Sequence, residues 1–257
     1  MTLAKRHFTK TMAAQQAAID IGSQVRPNAS QYELMLAQLH QHKQTLKGIE
    51  SIVTKCARKA LFVNEYEAYL EGVLEADSGK PDDVLTTIML WKLDAGMYSS
   101  ALELGAYALQ HGLQMPDQYQ RSIGCIIAEE IADAALKAPE ESPVARFDLE
   151  AAYELLEGVD YPDPVKAKLH KALGYALQRD ELLVTALEHF KSALQLNDRA
   201  GVKKGIQAIE KAIAAKPLEP VPNESDKQPT PPPEEPTKPE ANSADTVGQQ
   251  DTEGEPS

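Results

Sequence analysis

No stretch of this chain alternates apolar and polar residues over the length of a strand. Its composition favours Ala, Leu, Glu, Gln and Lys, which are good helix formers. Both features point to an all-α fold. With 257 residues, 42% of them apolar, the chain can bury a sizeable core in one or two domains. A collagen-like, disulfide-rich or wholly disordered chain is excluded.

Helical spacing then divides the sequence. Residues 8–21 can form a short helix, with Gly22 as its stop. Residues 30–63 read as one long helix, with Ser30 as N-cap and Glu33 at the capping-box position. Placing Tyr32 at heptad position a gives the a/d series Tyr32, Met35, Leu39, His42, Leu46, Ile49, Val53, Cys56, Ala60 and Val63. Such a series suits a coiled-coil or bundle seam, and equally an amphipathic helix packed on its own domain. His42 is the one polar member and would limit register.

Residues 82–115 and 167–200 resemble tetratricopeptide units, which are helical hairpins with small residues where the helices touch. They align at an offset of 85, Ala101-Leu102 on Ala186-Leu187 and Ala108-Leu109 on Ala193-Leu194. Phe190 fills the gap beside the small residues. Further helices are expected over 118–137, 147–157 and about 200–216. From Pro217 to Ser257, ten of 41 residues are proline and apolar residues nearly vanish. That segment cannot bury enough surface to offset chain entropy, so a disordered tail is expected. The expected domains are a basic arm and long helix at 1–63, a helical-hairpin domain at 64–216 and an acidic, proline-rich tail at 217–257.

The formal net charge of −13 hides a segregation. Residues 1–60 hold nine basic and three acidic side chains, a net of +6. Residues 61–216 carry −11 and the tail −8. A basic head suits a polyanion that an acidic body would repel. Lys5, Arg6 and Lys10 on the arm, with Lys43, Lys47, Lys55, Arg58 and Lys59 on the long helix, are the candidate DNA-binding residues. The bland alternative is a solvated helix flank. Cys56 and Cys125 are far apart, which suits reduced, packed thiols in a cytoplasmic protein. No secretory signal follows Lys5 and Arg6, and no run of 18 apolar residues exists to span a membrane.

Catalytic motifs are absent. The one Gly-Lys pair, Gly79-Lys80, is followed by Pro81, so there is no P-loop. GxSxG and HExxH do not occur, and no Lys has an acid two residues before it, as a common nuclease pattern requires. Asp82 and Asp83 read as acids at a helix N-terminus. Glu129, Glu130 and Asp133 read as a solvated acidic face. His40 and His42 point about 200° apart on a helix, so they do not share a metal. His111, His170 and His189 look isolated, and no metal site is expected.

Three segments carry a resemblance. RHFTKTMAAQQAA (6–18), GKPDDVLTTIMLWKLDAGMYSSALELGAYAL (79–109) and ALEHFKSALQLNDRAGVKKGIQAIEKAI (186–213) resemble, in order and spacing, the small terminase subunit of peduovirus-type tailed phages. That family is also called the terminase endonuclease subunit. The resemblance covers about residues 1–216. It implies a cytoplasmic role in the bacterial host, binding double-stranded DNA at the cohesive-end region. It further implies work with a large ATPase subunit that initiates packaging, a homo-oligomer that is a ring in many members, and cohesive-end cleavage. The alternative is a non-catalytic DNA-binding adaptor that only recruits and regulates the large subunit. No catalytic residue transfers. No cofactor is evident, and magnesium enters only if cleavage is intrinsic.

Overall fold

The computed structural model describes residues 2–19 and 30–215. Gly22 and the tail, on which two expectations fell, lie outside them. The compact unit Met1–Lys216 contains eleven α-helices among the described residues, and no strand. They are α1 (Leu3–Ile19), α2 (Ser30–Lys47), α3 (Ile52–Val63), α4 (Glu67–Ala76), α5 (Asp83–Asp94), α6 (Tyr98–Gln110), α7 (Ile123–Leu136), α8 (Arg146–Leu155), α9 (Asp163–Arg179), α10 (Leu183–Leu196) and α11 (Lys203–Ala215). The all-α expectation is met.

The single long helix over 30–63 is not formed. Local chemistry defeats the heptad there. At the end of α2, the Gly48 and Ile49 N–H groups donate to Thr45 and Leu46 oxygens, both at 3.2 Å, which tightens the last turn. Ser51 then takes an extended backbone, and its side chain accepts from the Thr54 N–H at 3.3 Å, opening α3. Gly48 and a capping serine therefore split one apolar series into two helices. Both helices pack against α5 of their own chain. Leu39, Leu46 and Val63 of the series are buried, whereas Val53 is 80% exposed.

α1 lies along α4, and the contact is close because α4 presents Gly72. A Cβ there would come within 2.5 Å of the Lys10 carbonyl oxygen and 2.8 Å of Ala13 Cβ. α5 carries the centre of the main core, with Val84, Leu85, Ile88 and Met89 at zero exposure. It starts at Asp82, whose side chain accepts from the Val84 and Leu85 N–H groups, each at 2.9 Å. The acid cap expected at this helix start is present, with Pro81 just outside it.

Both expected hairpins form, as α5–α6 and α9–α10. In the second, Gly174 of α9 faces Phe190 of α10, and a Cβ on Gly174 would meet the ring at 2.5 Å. Gly205 of α11 flanks the same ring at 3.2 Å on that measure. Phe190 thereby centres a second small core with Leu177, Ala186, Ala193, Val202 and Ile209. The helix expected over 118–137 begins only at Ile123, because Ser122 caps it by accepting from the Cys125 N–H.

Candidate nucleic-acid interface

The eight basic candidates have different fates. On α1, Arg6 forms an ion pair with Glu71 of α4. Lys10 Nζ lies 3.2 Å from Glu75 and 4.0 Å from Glu71. These two side chains fasten α1 to α4. On α3, Lys59 Nζ donates to Asp94 of α5 at 2.5 Å. Lys43 of α2 is half-buried, and burial lowers its pKa against the opposing pull of the Asp83 carboxylate. Arg58 holds its guanidinium over the Phe62 ring, 5.9 Å from the centroid. Lys5, Lys47 and Lys55 form no ion pair with a described residue. Sequence could not separate these groups, since Glu71 and Asp94 are 65 and 35 residues from their partners.

The remaining titratable clusters serve the fold. Glu129 and Glu130 pair with Arg121, and Lys168 bridges Glu129 and Asp133 at 3.3 and 2.9 Å. Those ionic hydrogen bonds, Arg121 first, hold the Glu129 carboxyl below its usual range. The expected solvated acidic face is thus an ion-pair network joining α7 to α9. Asp82 is buried and also accepts a hydrogen bond from the Tyr69 hydroxyl at 2.5 Å.

The histidines expected to be isolated are not. His111 Nε2 lies 2.7 Å from Asp77. His170 of α9 and His189 of α10 meet with their Nδ1 atoms 3.0 Å apart, and the Tyr153 ring of α8 packs on both. Only the hairpin register brings these two imidazoles together. His42 stacks on Phe62 with centroids 3.7 Å apart and hydrogen-bonds the Tyr66 hydroxyl at 2.9 Å. It joins α2 to its own domain. No three His, Cys, Asp or Glu residues among those described gather closely enough to hold a metal ion. No described helix is long and apolar enough to cross a membrane.

Residues 36–164, from within α2 to the start of α9, match the family model described as phage small terminase subunit. The chain belongs to the phage small terminase subunit family. It is 39% identical over 228 residues to the terminase endonuclease subunit of Escherichia phage P2, covering 88% of this chain and 91% of that protein. No solved structure matches. The family model covers α2 from residue 36 onward and the helices up to the start of α9, so α1 with Lys5, Arg6 and Lys10 lies outside it.

Proposed function

We propose that this small terminase subunit binds double-stranded cohesive-end DNA through its basic head, works with a large ATPase subunit to initiate packaging, and takes part in the cohesive-end cut. The observation that carries the DNA contact is that several candidate cations of the head, Lys5, Lys47, Lys55 and Arg58, form no ion pair with a described residue. Lys5, Lys47 and Lys55 all lie in the N-terminal segment, on an otherwise acidic protein. The cleavage part rests on the name of the phage P2 relative, a terminase endonuclease subunit. No cleavage residue is assigned, and magnesium is the cofactor that such a cut would take. The head at 1–63 contacts DNA and a second copy. The tetratricopeptide-like hairpins of 64–216 offer stacked helices to the large subunit. The place of action is the bacterial host cytoplasm.

The experiment is retardation and cleavage of a cohesive-end fragment by the full chain, with magnesium and with EDTA. Retardation in both buffers and cutting only with magnesium is expected. A fragment that is never retarded ends the DNA reading. Cutting that needs the large subunit assigns the chemistry to the assembly. Charge reversal of Lys5, Lys47 and Lys55 together should weaken binding and flatten its salt dependence. Three lost phosphate contacts reduce the log–log slope by about 2.7. Reversal of Arg6 or Lys59 should instead lower the melting temperature, since each holds a helix in place.

A further inference from the structure

The exposed side of α3 carries a feature that DNA binding does not use. Val53, Ala57 and Leu61 recur every fourth residue and form one apolar stripe. Val53 is 80% and Leu61 is 61% exposed. Arg58 lies beside the stripe, and α3 contains no acidic residue. A stripe of this kind on a surface helix is suited to another protein helix. Its flank sets the charge that partner must bring.

The same chain supplies a matching face. α8 turns Phe147, 69% exposed, outward together with half-buried Ala151. Glu150 and Glu154 sit three and seven residues after Phe147, on the same side of the helix. Glu154 is exposed and forms no ion pair with a described residue. Glu150 is shared with Arg146 at 2.5 Å. One face is an apolar stripe with a cation beside it; the other presents exposed Phe147 with Glu154 in the same line and Glu150 beside it. Pairing α3 with α3 of a second copy would set Arg58 against itself. Pairing it with α8 sets opposite charges side by side.

We infer that α3 of one copy docks on α8 of the next, with Val53 and Leu61 against Phe147 and Arg58 against Glu154. This deepens the self-association in the proposed function and rests on it. Because the two faces differ, the contact is head-to-tail. It therefore closes into a ring or continues as a filament, and does not stop at a two-fold dimer. The exposed Lys5 and Lys47 lie on other helices and stay outside the pairing.

Sedimentation velocity of the full chain tests this, comparing wild type with Leu61→Glu, Phe147→Glu, Arg58→Glu, Glu154→Arg and the double charge swap. The wild type should assemble. Leu61→Glu and Phe147→Glu should each sediment as monomers with an unchanged melting temperature, since both side chains are solvent-exposed. Each single charge reversal should weaken assembly about tenfold, and the double swap should restore it. A monomeric wild type overturns the proposal. So does a Leu61→Glu or Phe147→Glu variant that assembles normally, or a double swap no better than its parents. Leu61→Glu that assembles but no longer retains the large subunit gives the α3 stripe to that partner and likewise overturns it. Retardation of DNA by the monomeric variants keeps the DNA reading separate, because that reading can stand or fall independently.

Discussion

At the scale of single residues, Asp82 shows how a carboxylate that looks catalytic is absorbed by structure. It is 3% exposed, and the donors that face it include two backbone N–H groups of α5 and the Tyr69 hydroxyl. A buried carboxylate with that many donors is held by hydrogen bonds rather than left to neutralise itself. Replacing it by Ala removes a helix cap, which costs about 1–2 kcal/mol. The same change leaves the Tyr69 hydroxyl without this acceptor, for about 1–3 kcal/mol more. Asp82→Ala should therefore lower the urea midpoint clearly, while Asp82→Asn, which keeps an acceptor for the cap, should lose less. Equal losses in the two variants would show that the negative charge, and not the cap, matters. Gly174 makes the complementary case. Adding one methyl group drives it into a Phe190 ring that Gly205 already confines on another side. Overpacking of that order costs about 1–3 kcal/mol, so Gly174→Ala should reduce the melting temperature, read by circular dichroism.

Among the elements, the α8–α9–α10 junction is the pH-sensitive one. Burial, and then the neighbouring His189, lowers the His170 imidazole to about 4. Burial also lowers His189, against opposing pulls from Glu188 and Glu150. The groups facing the pair are Tyr153 and Glu150 of α8 and Glu188 of α10. In the unfolded chain both imidazoles take up protons near 6.5. The unfolded state thus binds more protons than the folded one between that value and about 4. The stability contributed by the neutral pair is complete above pH 6.5 and is lost as pH falls through this window. Each such imidazole steepens the loss by up to about 1.4 kcal/mol per pH unit. Urea midpoints at pH 7.5, 6 and 5 should fall in that order. His170→Gln should flatten the series, and an unchanged slope would rule out the pair as its source. His42, lowered chiefly by burial, adds a smaller loss in the same direction that this variant retains.

The same elements show what the sequence made legible. Both hairpins were readable because Ala101, Ala108, Ala186, Ala193 and Gly174 must be small where helices touch. The break at 48–51 was not. A heptad count gives no weight to Gly48 and Ser51, although both residues carry a local signal for a helix end and a cap. The candidate cations were legible as a set, but their division was not. Whether a lysine meets an aspartate is decided by tertiary neighbours, as half-buried Lys55 and Lys59 show from nearly the same stretch of α3: only Lys59 pairs with Asp94. The His170–His189 contact likewise depends on the register of two helices, and no spacing rule in the sequence announces it.

For the whole molecule, charge segregation is the property that outlasts any single contact. Nine cations stand in the first sixty residues, and the rest of the chain carries −19. Of that, −8 belongs to residues 217–257. A polyanion approaching the head meets attraction nearby and repulsion from everything else, so the net charge opposes association while the local field favours it. Removing residues 217–257 changes the formal charge from −13 to −5 and leaves every candidate cation in place. The shortened chain should therefore bind a cohesive-end fragment more tightly at low salt. The gain should shrink as salt rises, because the Debye length is about 30 Å at 0.01 M and about 3 Å at 1 M. Fluorescence anisotropy of both chains across that range measures it. Converging curves mean that the segment acts through its long-range field. A gain that persists at high salt would instead require the segment to occupy the DNA surface directly. No gain at the lowest salt would mean that its charge does not reach the head at all, leaving the acidic helices as the only brake on DNA binding.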